Sequence, residues 1–195
     1  TYTAADSYSY AGGSDTSYAD GSASKPYRSL ARVMQSVKAG DTIWLDAGSY
    51  GHDTWEMISA TETAAVNLDT DNLALIGVDS NATVIDPAGA KTLTGLFGIY
   101  ADTQTGLVIK NLGVTGAYEG IRLLNVDLST VTGDSASSNY DKGLNLGDGS
   151  DTNTVSGGQY NFNKGTFGYE AGILVDSGTG NTITNNELNS NGSGL

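Results

Sequence analysis

Glu119-Gly-Ile-Arg-Leu123, Lys142-Gly-Leu-Asn-Leu146, Ala171-Gly-Ile-Leu-Val175 and Ser193-Gly-Leu195 are one phrase written repeatedly along the C-terminal half of the chain. A second phrase runs out of phase with it, as Thr130-Val-Thr132, Thr154-Val-Ser156 and Thr182-Ile-Thr184. With Ile109 of Val108-Ile-Lys110 added, its central apolar residues fall at 109, 131, 155 and 183, in steps of 22, 24 and 28. Each phrase alternates apolar with polar residues, the period of a strand, and Gly, Asn, Asp and Ser fill the gaps between phrases. Self-similarity at a step of this size signals stacked structural units. The units are too short for a strand plus a full helix, so each reads as one coil of a parallel β-helix. Ile121, Leu123, Leu144, Leu146, Ile173 and Val175 are expected to point inward, and Arg122, Asn145 and Leu174 outward.

The excursions between phrases are unequal: 12 residues from Val131 to Gly143, 17 from Val155 to Gly172 and 11 from Ile183 to Gly194. The longest contains Gln159-Tyr-Asn-Phe-Asn-Lys-Gly-Thr-Phe-Gly-Tyr169, rich in aromatics and amides. Loops on a solenoid are where function usually resides. Upstream, Asn72-Leu-Ala-Leu-Ile-Gly-Val78 and Ala82-Thr-Val-Ile-Asp86 read as strands of an earlier coil, and 93–100 and 106–114 carry on into the regular repeat. Residues 51–68, with His52, Trp55, Glu56 and Met57, blur the pattern and read as a lateral loop.

Ahead of the coils lies one helical signal. Ser24 can cap it, Pro26 suits its first turn and Gly40 closes it. Leu30, Val33, Met34 and Val37 share one face, so a helix over 26–38, about three turns long, is expected to cover the open end of the stack. The whole chain then reads as one domain: a loop over 1–24, a capping helix within 25–40, and about six or seven coils over 41–195. Such a chain of 195 residues buries roughly 70% of its unfolded surface. At the other end, Gly194-Leu195 opens a fresh strand phrase without a closing helix, proline or charge. The expectation there is further coils, or self-association through an uncapped end, with a fibre or layer as the setting.

Composition narrows the partners. With 22 acidic against 9 basic residues the formal charge is −13, so the cationic face that nucleic acid requires is missing. No apolar run approaches a membrane span, and no membrane insertion is expected. The 27 glycines against 2 prolines suit short strands joined by tight turns, and the absence of cysteine excludes disulfides and thiolate chemistry.

Gly21-Ser-Ala-Ser-Lys-Pro-Tyr-Arg-Ser-Leu30, the helix, and Ala39-Gly-Asp-Thr-Ile-Trp-Leu-Asp-Ala-Gly-Ser-Tyr50 together resemble the opening segment of secreted right-handed parallel β-helix proteins of the pectate-lyase-like superfamily. The Asn-rich phrasing near 172–186 is similar to their coil repeats. The resemblance implies an all-β, right-handed parallel β-helix with an N-terminal capping α-helix, in an extracellular or cell-surface setting. Right-handedness also follows the general rule for parallel crossovers. Activity is left open, because that superfamily holds lyases, hydrolases, epimerases, tailspikes, adhesins and non-catalytic surface proteins.

A lyase reading needs a Lys or Arg to take a proton beside a uronate carboxylate, usually with a cation to acidify it. Lys110, Arg122 and Lys142 are the candidate bases, with Lys164 a further cation. Stacking the repeats sets Glu119 beside Lys142, about 4.8 Å away along the axis. An exposed ion-pair rung is the favoured reading of that pair over a catalytic couple. Asp127, Asp134, Asp141, Glu170 and Asp176 show no spacing that groups them for hydrolysis, and a lone His52 assembles neither a triad nor a His-rich metal site. No cofactor is required; Ca²⁺ is the cation the chemistry admits, with Asp15 and Asp20 its candidate ligands in a loop. The Thr columns at 130/132, 154/156 and 182/184 raise ice binding as a minor alternative, which the unequal steps disfavour. Tyr118, Tyr140, Tyr160, Phe162, Phe167 and Tyr169 are the candidate glycan-stacking aromatics. The favoured function is a non-catalytic surface module, structural or glycan-adhesive, with a polysaccharide lyase as the alternative and extracellular polysaccharide as the partner.

Overall fold

A computed structural model describes residues 2–4, 22, 25, 27, 29–51, 55–87, 94–165 and 169–192. The chain begins with β1 (Tyr2–Ala4), then α1 (Leu30–Met34), and then winds through three sheets in turn. The first coil is β2 (Thr42–Leu45), β3 (Gly48–Tyr50), and the pair β4 (Glu56–Met57) and β5 (Thr63–Asn67). The second is β6 (Ala74–Ile76), β7 (Thr83–Ile85) and β8 (Leu96–Asp102); the third is β9 (Val108–Lys110), β10 (Gly113–Val114) and β11 (Glu119–Leu124). The fourth is β12 (Thr130–Thr132), β13 (Ser135–Ala136) and β14 (Lys142–Gly147), followed by β15 (Thr154–Ser156), β16 (Ala171–Val175) and β17 (Thr182–Thr184).

The strands stack as a parallel β-helix with three sheet faces. The first sheet runs β1-β2-β6-β9-β12-β15-β17, the second β3-β7-β10-β13 and the third β4-β5-β8-β11-β14-β16. Among the described residues every strand-to-strand pairing is parallel except β4 with β5, and an isolated antiparallel bridge joins Ser22 and Lys25. The register is the one the sequence steps imply: Ile43, Leu75, Ile109, Val131, Val155 and Ile183 form one inward column. Val66, Ile99, Ile121, Leu144 and Ile173 form the facing column on the third sheet. These residues join one continuous core, sealed from water until the last coil, where Val175, Ile183 and Leu188 are partly buried. Two expectations need correction. Residues 63–67 of the presumed lateral loop are a strand of the third sheet, because Ala65 and Val66 fill the core level below Ile99. The helix is also shorter than 26–38. Ser29 caps it by accepting from the Arg32 N–H at 3.2 Å, and it ends at Met34, while Ser24 and Pro26 lie outside the described residues. Its buried Leu30 and Val33 still cover the core at the first coil.

Two local devices make the coils turn and lock. After each of the last four first-sheet strands the chain bends through one left-handed residue: Asn111 (φ 58°), Gly133 (68°), Gly157 (65°) and Asn185 (56°) in successive coils. Asn and Gly are the residues that tolerate that region. Inside the corners, asparagines bridge to the preceding coil as acceptor and donor at once. Asn163 Oδ1 accepts the Asn139 N–H at 3.0 Å and its Nδ2 donates to Ala136 O at 3.1 Å. Asn139, Asn153, Asn181, Asn186 and Asn191 repeat that pattern. They satisfy backbone groups that sheet pairing leaves over at the corners.

Candidate functional site

The third sheet carries the site on its outer face. Its outward side chains form two columns by register, Ala64-Phe97-Glu119-Lys142-Ala171 and Asn67-Tyr100-Arg122-Asn145-Leu174. Toward the N-terminal end the face is apolar: Phe97 and Tyr100 stack at 5.5 Å, and with Ala64 they form a second buried cluster covered by Ile58 and Leu124. Arg122 lies over the Phe97 ring, 4.9 Å from its centroid.

One coil further on, the face becomes charged. Glu119 is the hub: its carboxylate accepts from Arg122 Nη1 at 3.3 Å and from Asn145 Nδ2 at 3.2 Å. Lys142 Nζ lies 3.4 Å from Glu119 Oε1 and also donates to the Asp141 carboxylate. The register Glu119↔Lys142 is as expected, but the rung is not exposed: the Glu119 side chain is 3% accessible and that of Lys142 13%. Neighbouring coils at the corner and the Phe97–Tyr100 layer wall the pair in, so its ions are partly dehydrated and more strongly coupled than a surface pair. Burial by itself lowers the Lys142 pKa. The hydrogen bond to Asp141 and the charges of Glu119 and Asp141 outweigh it, and the net shift is upward. Beside these ions, Arg122 Nε and Asn145 Oδ1 are buried without a protein partner. A donor and an acceptor thus sit in one column, each without a partner and each closed off from solvent.

Tyr118 and Tyr140 flank the ions at the corner leading into the sheet. Their rings stack at 5.7 Å with 26° between planes, and both are half-exposed. The Tyr118 hydroxyl pKa is raised, first by burial and then by the Asp141 charge. Phe162 and Tyr169 are exposed, at 59% and 81%. Tyr160 is not a surface aromatic: it is fully buried and part of the core. Of the three candidate bases the structure unites Arg122 and Lys142. Lys110 stands apart on the first sheet, in register with Ile76 and Thr132, and Lys164 is exposed in the loop. Asp15, Asp20, His52 and Phe167 lie outside the described residues.

The arrangement does not fit the calcium site that the lyase reading invokes. Ca²⁺ wants six to eight oxygens with uncompensated charge, whereas Glu119 and Asp141 are already bonded by Lys142 and Arg122. Among the described residues no three His, Cys, Asp or Glu side chains converge to hold a metal ion. Asn145 escapes a reading of the sequence as a site residue, since its phrase marks it merely as outward. The signal that would find it is its place one coil from Arg122 in the same column.

Comparison with known proteins agrees on the fold. The chain superposes on pectate lyase Pel9A with a TM-score of 0.71 at 18% identity, over 95% of this chain and 46% of that one. For a rhamnogalacturonan lyase the values are 0.69, 18%, 96% and 50%. For an alginate lyase from Paenibacillus sp. str. FPU-7 they are 0.58, 17%, 80% and 56%. The chain therefore spans about half the length of these enzymes, and identities this low speak for fold alone. No curated protein sequence matches significantly. The family described as "Right handed beta helix region" matches residues 64–195, which hold the regular coils and every residue of the charged face. The handedness and the pectate-lyase-like resemblance thus hold at the level of fold, and the chain belongs to the right-handed β-helix family.

Proposed function

We propose that the outer face of the third sheet binds a neutral polysaccharide without cleaving it, in an extracellular or cell-surface setting. The observation that supports this most is the state of Lys142. A lyase base must be free of its proton at working pH, and here two carboxylates hold the ammonium in its charged form. Arg122 is likewise engaged by Glu119. The face still offers a flat surface for the C–H faces of a sugar, the half-exposed Tyr118–Tyr140 stack. The ions sum to zero locally within a chain of charge −13, which disfavours uronates.

Two measurements bear on this reading. Uronate polymers incubated with the protein and Ca²⁺ should give no unsaturated product; robust turnover that disappears in Lys142→Ala would reverse the conclusion in favour of the lyase. Retardation in gels cast with neutral glycans should weaken by about fivefold in Tyr140→Ala, the loss of one stacking ring costing about 1 kcal/mol. Unchanged retardation removes this face from the function.

A further inference from the structure

The first sheet holds a second constellation, on a different face and independent of the ions of the third. Its outward column runs Trp44, Ile76, Lys110, Thr132, Ser156 and Thr184 by register. At the N-terminal end of that column a groove of about 310 Å³ opens, lined by Trp44, Asp46, Ile76, Val78 and Lys110 among others. Trp44 is 47% accessible and Val78 56%. Lys110 is exposed and makes no ion pair among the described residues. In the last three strands of this sheet the outer face carries only Thr or Ser, so a large exposed aromatic at the other end, beside Ile76 and an exposed Val78, marks a change of character along the face.

We propose that this groove is a saccharide subsite that takes a neutral, β-linked glycan chain whose ring hydroxyls are equatorial. In the middle of a sheet the backbone is already paired, with β6 bonded to β2 on one side and β9 on the other, so a peptide adding as a strand gains nothing. Recognition must come from side chains. Trp44 offers a flat apolar face, and a pyranose with equatorial hydroxyls presents an unbroken C–H face to it. Lys110 stands two rungs away, about 9–10 Å along the sheet, so a second ring extends over Ile76 and Val78 toward it. There its ammonium donates to hydroxyl oxygens while the Asp46 carboxylate accepts from hydroxyl hydrogens. Lys110 and Asp46 cancel in charge within a strongly acidic protein, which is why the ligand is neutral and not a uronate. The volume suits one to two sugar rings, the low end of the range for small-ligand sites.

The chain has two tryptophans, and the other, Trp55, bonds its indole N–H to Pro87 O at 3.1 Å. In a Trp55→Phe background the emission therefore reports Trp44 alone. Titration of that protein with cellohexaose should give a saturable change in emission. In gels cast with hydroxyethylcellulose, Trp44→Ala should weaken retention by about tenfold and Lys110→Ala by about threefold, while Trp44→Phe retains part of it. Circular dichroism checks that each variant keeps its coils, as exposed positions should. A flat emission titration, full retention in Trp44→Ala, or preference for polygalacturonate over the neutral chain would overturn the subsite. Tyr118→Ala and Tyr140→Ala should leave the Trp44 signal unchanged. If they abolish binding while Trp44→Ala does not, the third-sheet reading stands and this one falls.

Discussion

Gly143→Ala is expected to destabilise the protein by about 4 kcal/mol or more, at the extreme of single substitutions. A Cβ at this position would lie 2.6 Å from Ala136 O, 2.6 Å from Gly172 O and 2.8 Å from Asn163 Nδ2. Two of these are main-chain oxygens fixed by the stack and the third belongs to a bridging asparagine, so none can swing aside. The same contact recurs along the third sheet: a Cβ on Gly98 would meet Gly120 O at 2.6 Å, and one on Gly120 would meet Gly143 O at 2.7 Å. Close approach of successive coils, not backbone conformation, thus explains the glycine of the repeated phrase. Gly157→Ala is the control: its Cβ would meet nothing within 4 Å, but φ is +65°, so a cost of about 1–2 kcal/mol is expected. Urea unfolding of the two variants makes the comparison. Equal losses would mean that the coils do not approach as closely as this.

That glycine also shows how far the sequence could be read. The phrase Gly-Ile-x-Leu was visible at once, and so were the coil steps and the register Glu119↔Lys142, because a solenoid writes its third dimension as a period along the chain. What the period does not carry is depth. Glu119 and Lys142 look like a surface rung in the sequence, and their burial involves Phe97, next to Glu119 in the column, and Arg122 lying over its ring, contacts between coils that the period does not show. Tyr160 fails in the opposite direction. It lies in an amide-rich excursion that reads as a loop, yet its ring fills the core because Gly158 opposite offers no side chain, the Cβ position lying 2.9 Å from the Tyr160 hydroxyl. The asparagines were legible as turn residues but not as bridges. Their recurrence at 139, 163 and 191 follows the coil steps of 24 and 28, a signal that becomes meaningful once the stack is known. On the first sheet, Trp44 and Lys110 fall two coils apart with irregular spacing, so nothing along the chain ties them together.

Asp134→Asn is expected to stabilise the protein by about 3–4 kcal/mol at pH 8 and by almost nothing at pH 4. Asp134 occupies a bridging-asparagine position: its Oδ1 accepts the Leu112 N–H at 2.7 Å, one coil back. In six asparagines the second terminal atom donates to the carbonyl three residues before that N–H, as Asn186 does to Val155 O at 3.0 Å. For Asp134 the corresponding carbonyl is that of Ile109, and an ionised Oδ2 has no proton to give it. Oδ2 is in fact buried without a partner. Burial, against the backbone hydrogen bonds from Leu112 and Thr132, pushes the Asp134 pKa up to about 7. The Tyr160 hydroxyl is raised well above its ordinary value, by burial first and then by the Asp134 charge. Between about pH 4 and pH 7 the folded chain therefore keeps a proton that the unfolded chain releases. Stability falls as pH rises through that window, by about 1.4 kcal/mol per unit, and levels off above it. An asparagine supplies the missing donor at every pH, so the variant loses this slope. Glu56, raised to about 7 by burial and by Asp69, adds a slope of the same sign to both proteins, so the difference between them is the quantity to read. Urea midpoints at pH 4, 6 and 8 give it: curves that separate with rising pH support the amide-like role of Asp134. Parallel curves, or a variant weaker at pH 8, would show that the Asp134 carboxylate is ionised in the folded chain and bonded to something other than the stack.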